Sequence, residues 1–144
     1  MARGKRSEGR RIIYDDDDNE IYTNLLSSSN PFKKLAITDL FAIAVVKGKQ
    51  LGIRTELGDG AVGRVRKSTI DGSDIRYLMM AIAADEEKSI DVLTDEDQYF
   101  RICEEYAKTG IELLNSEVLD KGFKILDDME EELVEFYDKH LGKD

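Results

Sequence analysis

Over residues 33–51 the chain is apolar on nearly every helical face, with Leu35, Ile37, Leu40, Phe41, Ile43, Val45 and Val46 set among Ala36, Ala42 and Ala44. A segment apolar all round belongs at the centre of a fold, and its length favours helix over strand despite the β-branched residues. Gly52, behind Lys47 and Lys49, is placed to stop that helix. Asp71 and Ser73 can each cap a further helix running to about residue 84, whose apolar set Ile75, Leu78, Met79, Ile82 and Ala83 keeps the i, i+3, i+4, i+7 spacing of one face. Thr94-Asp95-Glu96-Asp97 offers a start resembling a capping box, with Thr94 at the cap. Behind it Tyr99, Ile102, Cys103, Tyr106, Gly110, Leu113 and Leu114 share an inward face. A last helix, over about residues 116–141, carries Leu119, Phe123, Leu126, Met129, Leu133, Phe136, Tyr137 and Leu141 along a stripe.

The ends and the middle read differently. Residues 1–11 hold no periodic apolar residue and carry two glycines, so they cannot bury enough surface to offset their ordering entropy, and residues 1–17 are expected to form a flexible charged arm. A single helical domain is expected over 18–144, opening with a short helix at 19–26 behind the acidic run Asp15 to Asp18 and a turn at Pro31. Residues 53–57 and 62–66 alternate around Gly58-Asp59-Gly60, which suits a short β-hairpin within 53–70. Two isolated strands are marginal in water, so such a hairpin must lean on the helices, and an irregular loop fits the same residues. The fold class is therefore mainly α: a compact bundle of about four to five helices with a short hairpin as its only β-structure.

Composition narrows the function classes. The chain has 144 residues, enough for one core, and its 36% charged residues exceed the usual ~25%. A single cysteine and a single histidine exclude an intrachain disulfide or a Cys/His zinc site, and with no apolar run of about 20 residues and no signal-peptide pattern the expected location is the cytoplasm, with no membrane contact. The net charge of −10 is uneven: residues 33–67 carry eight basic and three acidic side chains, whereas residues 68–144 carry eight basic and 22 acidic.

No catalytic residue or metal site emerges, and no cofactor is called for. Carboxylate pairs such as Asp127 and Asp128 arise on any solvated face of so acidic a chain, and Asp15 to Asp18 lack the glycine and terminal glutamate of an EF-hand loop. Cys103 falls on an apolar face with no histidine at a readable spacing, and His140 suits a helix C-terminus. Without a nucleophile, base and orienting group at readable spacing the chain is expected not to be an enzyme. The candidate contact residues for phosphate or for a partner are Lys33, Lys34, Lys47, Lys49, Arg54, Arg64, Arg66 and Lys67. Such side chains position a protein on nucleic acid without reading its sequence; equally, they can pair with the acidic half of this chain or of a neighbour, and a homodimer is compatible with either. Leu119, Leu126 and Leu133 recur every seven residues with Met129 and Phe136 between them, a spacing that suits packing on the chain's own core or a seam with a partner helix.

Pro31-Phe32, the apolar Leu40-Phe41-Ala42-Ile43-Ala44 and the following Lys47-Gly48-Lys49-Gln50-Leu51-Gly52 are similar to a small family of accessory proteins from DNA phosphorothioation (dnd) islands, the fourth class of dnd system-associated proteins. The stretch from Cys103-Glu104-Glu105-Tyr106-Ala107 to Gly110-Ile111-Glu112-Leu113-Leu114 resembles the same family. The resemblance runs over roughly residues 30–115, with an insert here around Asp59 to Gly63. It implies a non-catalytic prokaryotic accessory protein in a restriction-modification and antiviral defence locus, where backbone sulphur marks DNA, with other proteins of the same locus as partners. Direct DNA contact through residues 33–67 is the alternative.

Overall fold

The centre of the molecule is a crossing of two helices that touch backbone to backbone. The computed structural model describes residues 10–27 and 30–141. Its elements in order are β1 (Ile12–Tyr14), α1 (Asp16–Leu25), α2 (Ile37–Leu51), β2 (Val62–Val65), α3 (Lys67–Asp71), α4 (Ile75–Glu87), a 3-10 turn (Asp91–Thr94), α5 (Glu96–Lys121) and α6 (Lys124–His140). Helix α2 is the expected central helix, beginning a turn later than its apolar run. Asp39 Oδ2 accepts from the Ala36 N–H at 3.1 Å at its start, and Gly52 ends it in the left-handed region at φ 78°. Leu40, Phe41, Ala44, Val45 and Gly48 of α2 are buried against α5, its most extensive packing partner. A Cβ on Gly48 would stand 2.0 Å from the Tyr106 carbonyl oxygen, and one on Gly110 would stand 1.8 Å from the Ala44 carbonyl oxygen. Glycine inside a helix costs about 0.5–1 kcal/mol; here it is what permits the approach.

Helix α5 begins at Glu96, with Asp95 rather than Thr94 as its cap: the Asp95 carboxylate accepts from Gln98 N–H at 3.1 Å, while Thr94 ends the preceding 3-10 turn. Tyr99, Phe100, Ile102, Cys103, Tyr106, Ala107, Gly110, Ile111 and Leu114 of its inward face are buried, and Leu113 is half-buried. The break expected near residue 115 falls instead at Gly122, whose φ of 58° and ψ of −134° suit a residue without a Cβ, so α5 runs for 26 residues. Cys103 is buried and donates to the Met79 carbonyl across to α4.

The mainly α bundle and its small antiparallel sheet are present, but the sheet is paired differently from the hairpin expected within 53–70. β2 takes β1 as its partner, with Ile12 opposite Val65, Ile13 opposite Gly63 and Tyr14 opposite Val62. Residues 53–57 instead run as irregular chain along α5, where Thr55 N–H donates to the Glu105 carbonyl at 3.1 Å. The arm expected over 1–17 is likewise corrected: from Arg10 onward it belongs to the fold, because Ile12 and Tyr14 are buried and Tyr14 stacks on Tyr22 at 4.3 Å. Helix α1 starts three residues before the predicted one, taking Asp16, Asp17 and Asp18 into its first turn, where carboxylates complement the helix dipole. Residues 1–9, which hold the rest of the arm, lie outside the described residues.

Candidate interaction surface

The eight cations singled out in the sequence do not form one surface. Lys47 Nζ lies 2.6 Å from Glu117 on α5, and Lys49 Nζ lies 2.8 Å from Asp85 and 3.4 Å from Glu86 on α4. Arg54 bridges Glu86 at 3.2 Å and Glu105 at 2.7 Å. Arg64 pairs with Asp16 and donates to the Tyr14 carbonyl at 3.1 Å, and Lys67 reaches Asp71 within its own short helix at 2.6 Å. These five therefore serve the fold's own carboxylates. Glu86 is shared by two of them: the Tyr106 hydroxyl first, then Arg54 and Lys49, hold its carboxyl below the ordinary range. Lys33, Lys34 and Arg66 are exposed and make no ion pair among the described residues.

Two further charged sites escaped the sequence reading. Arg10 forks onto buried Glu104 at 2.8 and 2.9 Å and reaches Asp97 at 3.0 Å, while Glu104 also accepts the Ile13 N–H at 2.8 Å. Arg10 and Arg76 both lie over the Phe100 ring, at 5.0 and 5.6 Å. Burial nevertheless raises the Glu104 pKa against Arg10's pull. In the second site Lys108 contacts Asp15 at 3.0 Å, Asp18 at 3.2 Å and Glu112 at 3.3 Å. Burial pushes the Asp18 carboxyl up to about 6, and its Oδ1 and the Tyr22 hydroxyl have no hydrogen-bond partner among the described residues. Both sites tie the N-terminal segment to α5.

The unsatisfied part of the molecule is α6. Its stripe was expected to pack inward or to meet a partner, and the structure leaves it largely uncovered: Ile125 is the one buried residue of this helix, whereas Leu126 is 40%, Phe136 54%, Leu133 69% and the following Leu141 67% exposed. Leu119 on α5 and Phe123 at the junction are exposed as well. Ile125, Met129 and Phe136, at i, i+4 and i+11, form one row of α6. Met129 and Phe136 turn toward α2 and, with Leu133, close a groove of about 410 Å³ whose other wall is Ala42, Ile43, Val46, Lys47 and Gln50. Glu132 completes its lining. Lys121 fixes the junction by pairing with Asp128 at 2.8 Å. His140 stacks on Phe136 at 4.3 Å, with its Nδ1 3.1 Å from the Phe136 carbonyl oxygen. A groove of this kind, apolar with a charged border, takes the side chains of another helix.

Among the described residues no group of three or more His, Cys, Asp or Glu is placed to hold a metal ion, and no helix is long and apolar enough to cross a membrane. Residues 11–144 match the family model described as DNA sulphur modification system-associated protein 4. The match takes in β1 and α6, both beyond the roughly 30–115 over which the sequence motifs were read. No curated protein and no solved structure matches the chain.

Proposed function

Because the chain belongs to the DNA sulphur modification system-associated protein 4 family, we propose that it serves that system as a non-catalytic accessory protein, docking other proteins of the same locus in the cytoplasm. The observation that carries this reading is the exposed apolar face of α6 with the groove beside it. A 17-residue helix that buries one side chain gains little from its own fold. Contiguous apolar surface of this kind is the usual mark of a protein contact. The test is co-purification of tagged protein with its locus neighbours, comparing the natural chain with a Leu133→Asp, Phe136→Asp double variant. Loss of the neighbours with an unchanged circular dichroism melt supports docking through α6, and undiminished recovery overturns it.

Direct DNA contact is the second reading, supported by Lys33, Lys34 and Arg66, which are exposed and make no ion pair among the described residues. The other five candidates would have to leave carboxylate partners to meet phosphate, which places this reading behind the first. Its expected signature is binding to duplex DNA that weakens steeply with salt and drops in a Lys33→Ala, Lys34→Ala, Arg66→Ala variant, measured by fluorescence anisotropy with and without phosphorothioate linkages. Affinity indifferent to both changes would rule it out.

A further inference from the structure

We infer that the α6 groove receives a basic amphipathic helix of a different protein, and not a second copy of this chain. The inference rests on the reading of α6 as a docking surface and adds the chemistry of its occupant. At 100° per residue the apolar positions of α6 cover about half its circumference. One edge, Ile125, Met129 and Phe136, is turned to the body of the protein, the other, Leu126 and Tyr137, is left to solvent, and Leu133 between them reaches the rim of the groove. Carboxylates border both edges: Glu132 stands beside the Ile125 row, while Glu130 stands between Tyr137 and Leu141, with Asp127 just beyond.

The charge of this helix decides between occupants. Over Lys124–His140 there are seven carboxylates against two lysines. Among the described residues the facing wall holds one cation, Lys47, already paired with Glu117 at 2.6 Å. A second copy seated on this face would bring its own acidic borders against these, and like charges along a helical seam disfavour pairing. A helix with an apolar stripe flanked by lysine or arginine meets every one of those carboxylates with an opposite charge. Helix α6 is about 25 Å long at 1.5 Å per residue, so it offers four to five turns of contact.

The full chain is titrated by fluorescence anisotropy against three helical peptides of about 18 residues. One carries a leucine stripe flanked by lysines, the second has the same stripe flanked by glutamates, and the third scrambles the first so that no stripe remains. The lysine-flanked peptide is expected to bind at least about tenfold more tightly than either of the others, with an affinity that falls as salt is raised. Glu130→Lys with Glu132→Lys should invert the preference between the first two. Leu133→Asp with Phe136→Asp should lose the first peptide about tenfold although it makes the protein more acidic, which separates docking from general attraction of cations. Equal binding of the scrambled peptide overturns the inference, as does a dimer in sedimentation that Leu133→Asp with Phe136→Asp dissociates. If α6 variants lose the native neighbours while the peptides show no charge preference, the occupant is wrong and the docking reading stands; if the neighbours are retained, both fall.

Discussion

Arg10 and Glu104 show what a single pair contributes here. Glu104 is buried beneath the Arg10 fork and the Ile13 N–H, so removing the arginine leaves a carboxylate with no counter-charge in the interior. Breaking such a pair from one side costs roughly 3–5 kcal/mol. Arg10→Ala should therefore lower the urea midpoint strongly, and Arg10→Ala combined with Glu104→Gln should recover part of the loss; no recovery would mean that the arginine acts by covering Phe100. Asp18 sets a pH dependence of the opposite kind to an ordinary salt bridge. Its folded pKa, about 6, lies above the ~3.9 of an unfolded aspartate, so its contribution is fully present below about pH 4 and is lost as pH rises through 6. Lys108 and Glu112 face it, and the first of these limits the rise. Thermal unfolding should shift upward by a few degrees between pH 7 and 5, and Asp18→Asn should flatten that part of the profile. A variant profile parallel to the natural one would assign the effect to another group, with Glu104, raised by burial, the first to test.

At the scale of elements, the α2–α5 crossing is the point of least tolerance. Gly110→Ala places a methyl group on the Ala44 carbonyl, and no rotamer change relieves a backbone contact. It should cost at least about 3 kcal/mol in denaturant unfolding, the upper end of what overpacking does; a cost under 1 kcal/mol would show that the helices slide apart freely. Helices α2, α4 and α5 were legible because each repeats an apolar spacing several times, and Gly52 because it follows the run that it ends. The short sheet was legible as composition and not as pairing. Gly58-Asp59-Gly60 looks like a hairpin turn, yet Gly58 N–H donates to the Asp15 carboxylate at 3.0 Å, and that contact draws the loop toward the N-terminal segment. A three-residue strand such as Ile12–Tyr14 has no period to read, and its partner lies some 50 positions on. The single helix α5 was divided in advance because its stripe and that of α6 continue each other through Gly122, where only the backbone turns.

For the molecule as a whole, the basic segment visible in the charge distribution gives much of its charge to the acidic half, which keeps an excess of carboxylates: Lys47, Lys49 and Arg54 find partners on α4 and α5. The charges could be counted from sequence, but which cation met which carboxylate depended on helix crossings that no local pattern encodes. The α6 stripe was equally visible, and spacing alone does not say whether a stripe faces inward. Truncation after Lys121 tests how separate this helix is. Ile125, the partial cover of Met129 and the Lys121–Asp128 pair are lost, so the shortened chain should still unfold cooperatively by calorimetry, with a midpoint lowered by several degrees, and should no longer retain its locus neighbours. A chain that fails to fold would make α6 part of the core.

The Arg10–Glu104 pair also has a meaning in time. The two residues are 94 positions apart, and at a synthesis rate of about 5–20 residues per second the arginine leaves the ribosome roughly 5 to 20 s before its glutamate is made. Throughout that interval Ile12 and Tyr14 have no helix α5 to lie against, so the first strand to be translated is among the last pieces to find its place.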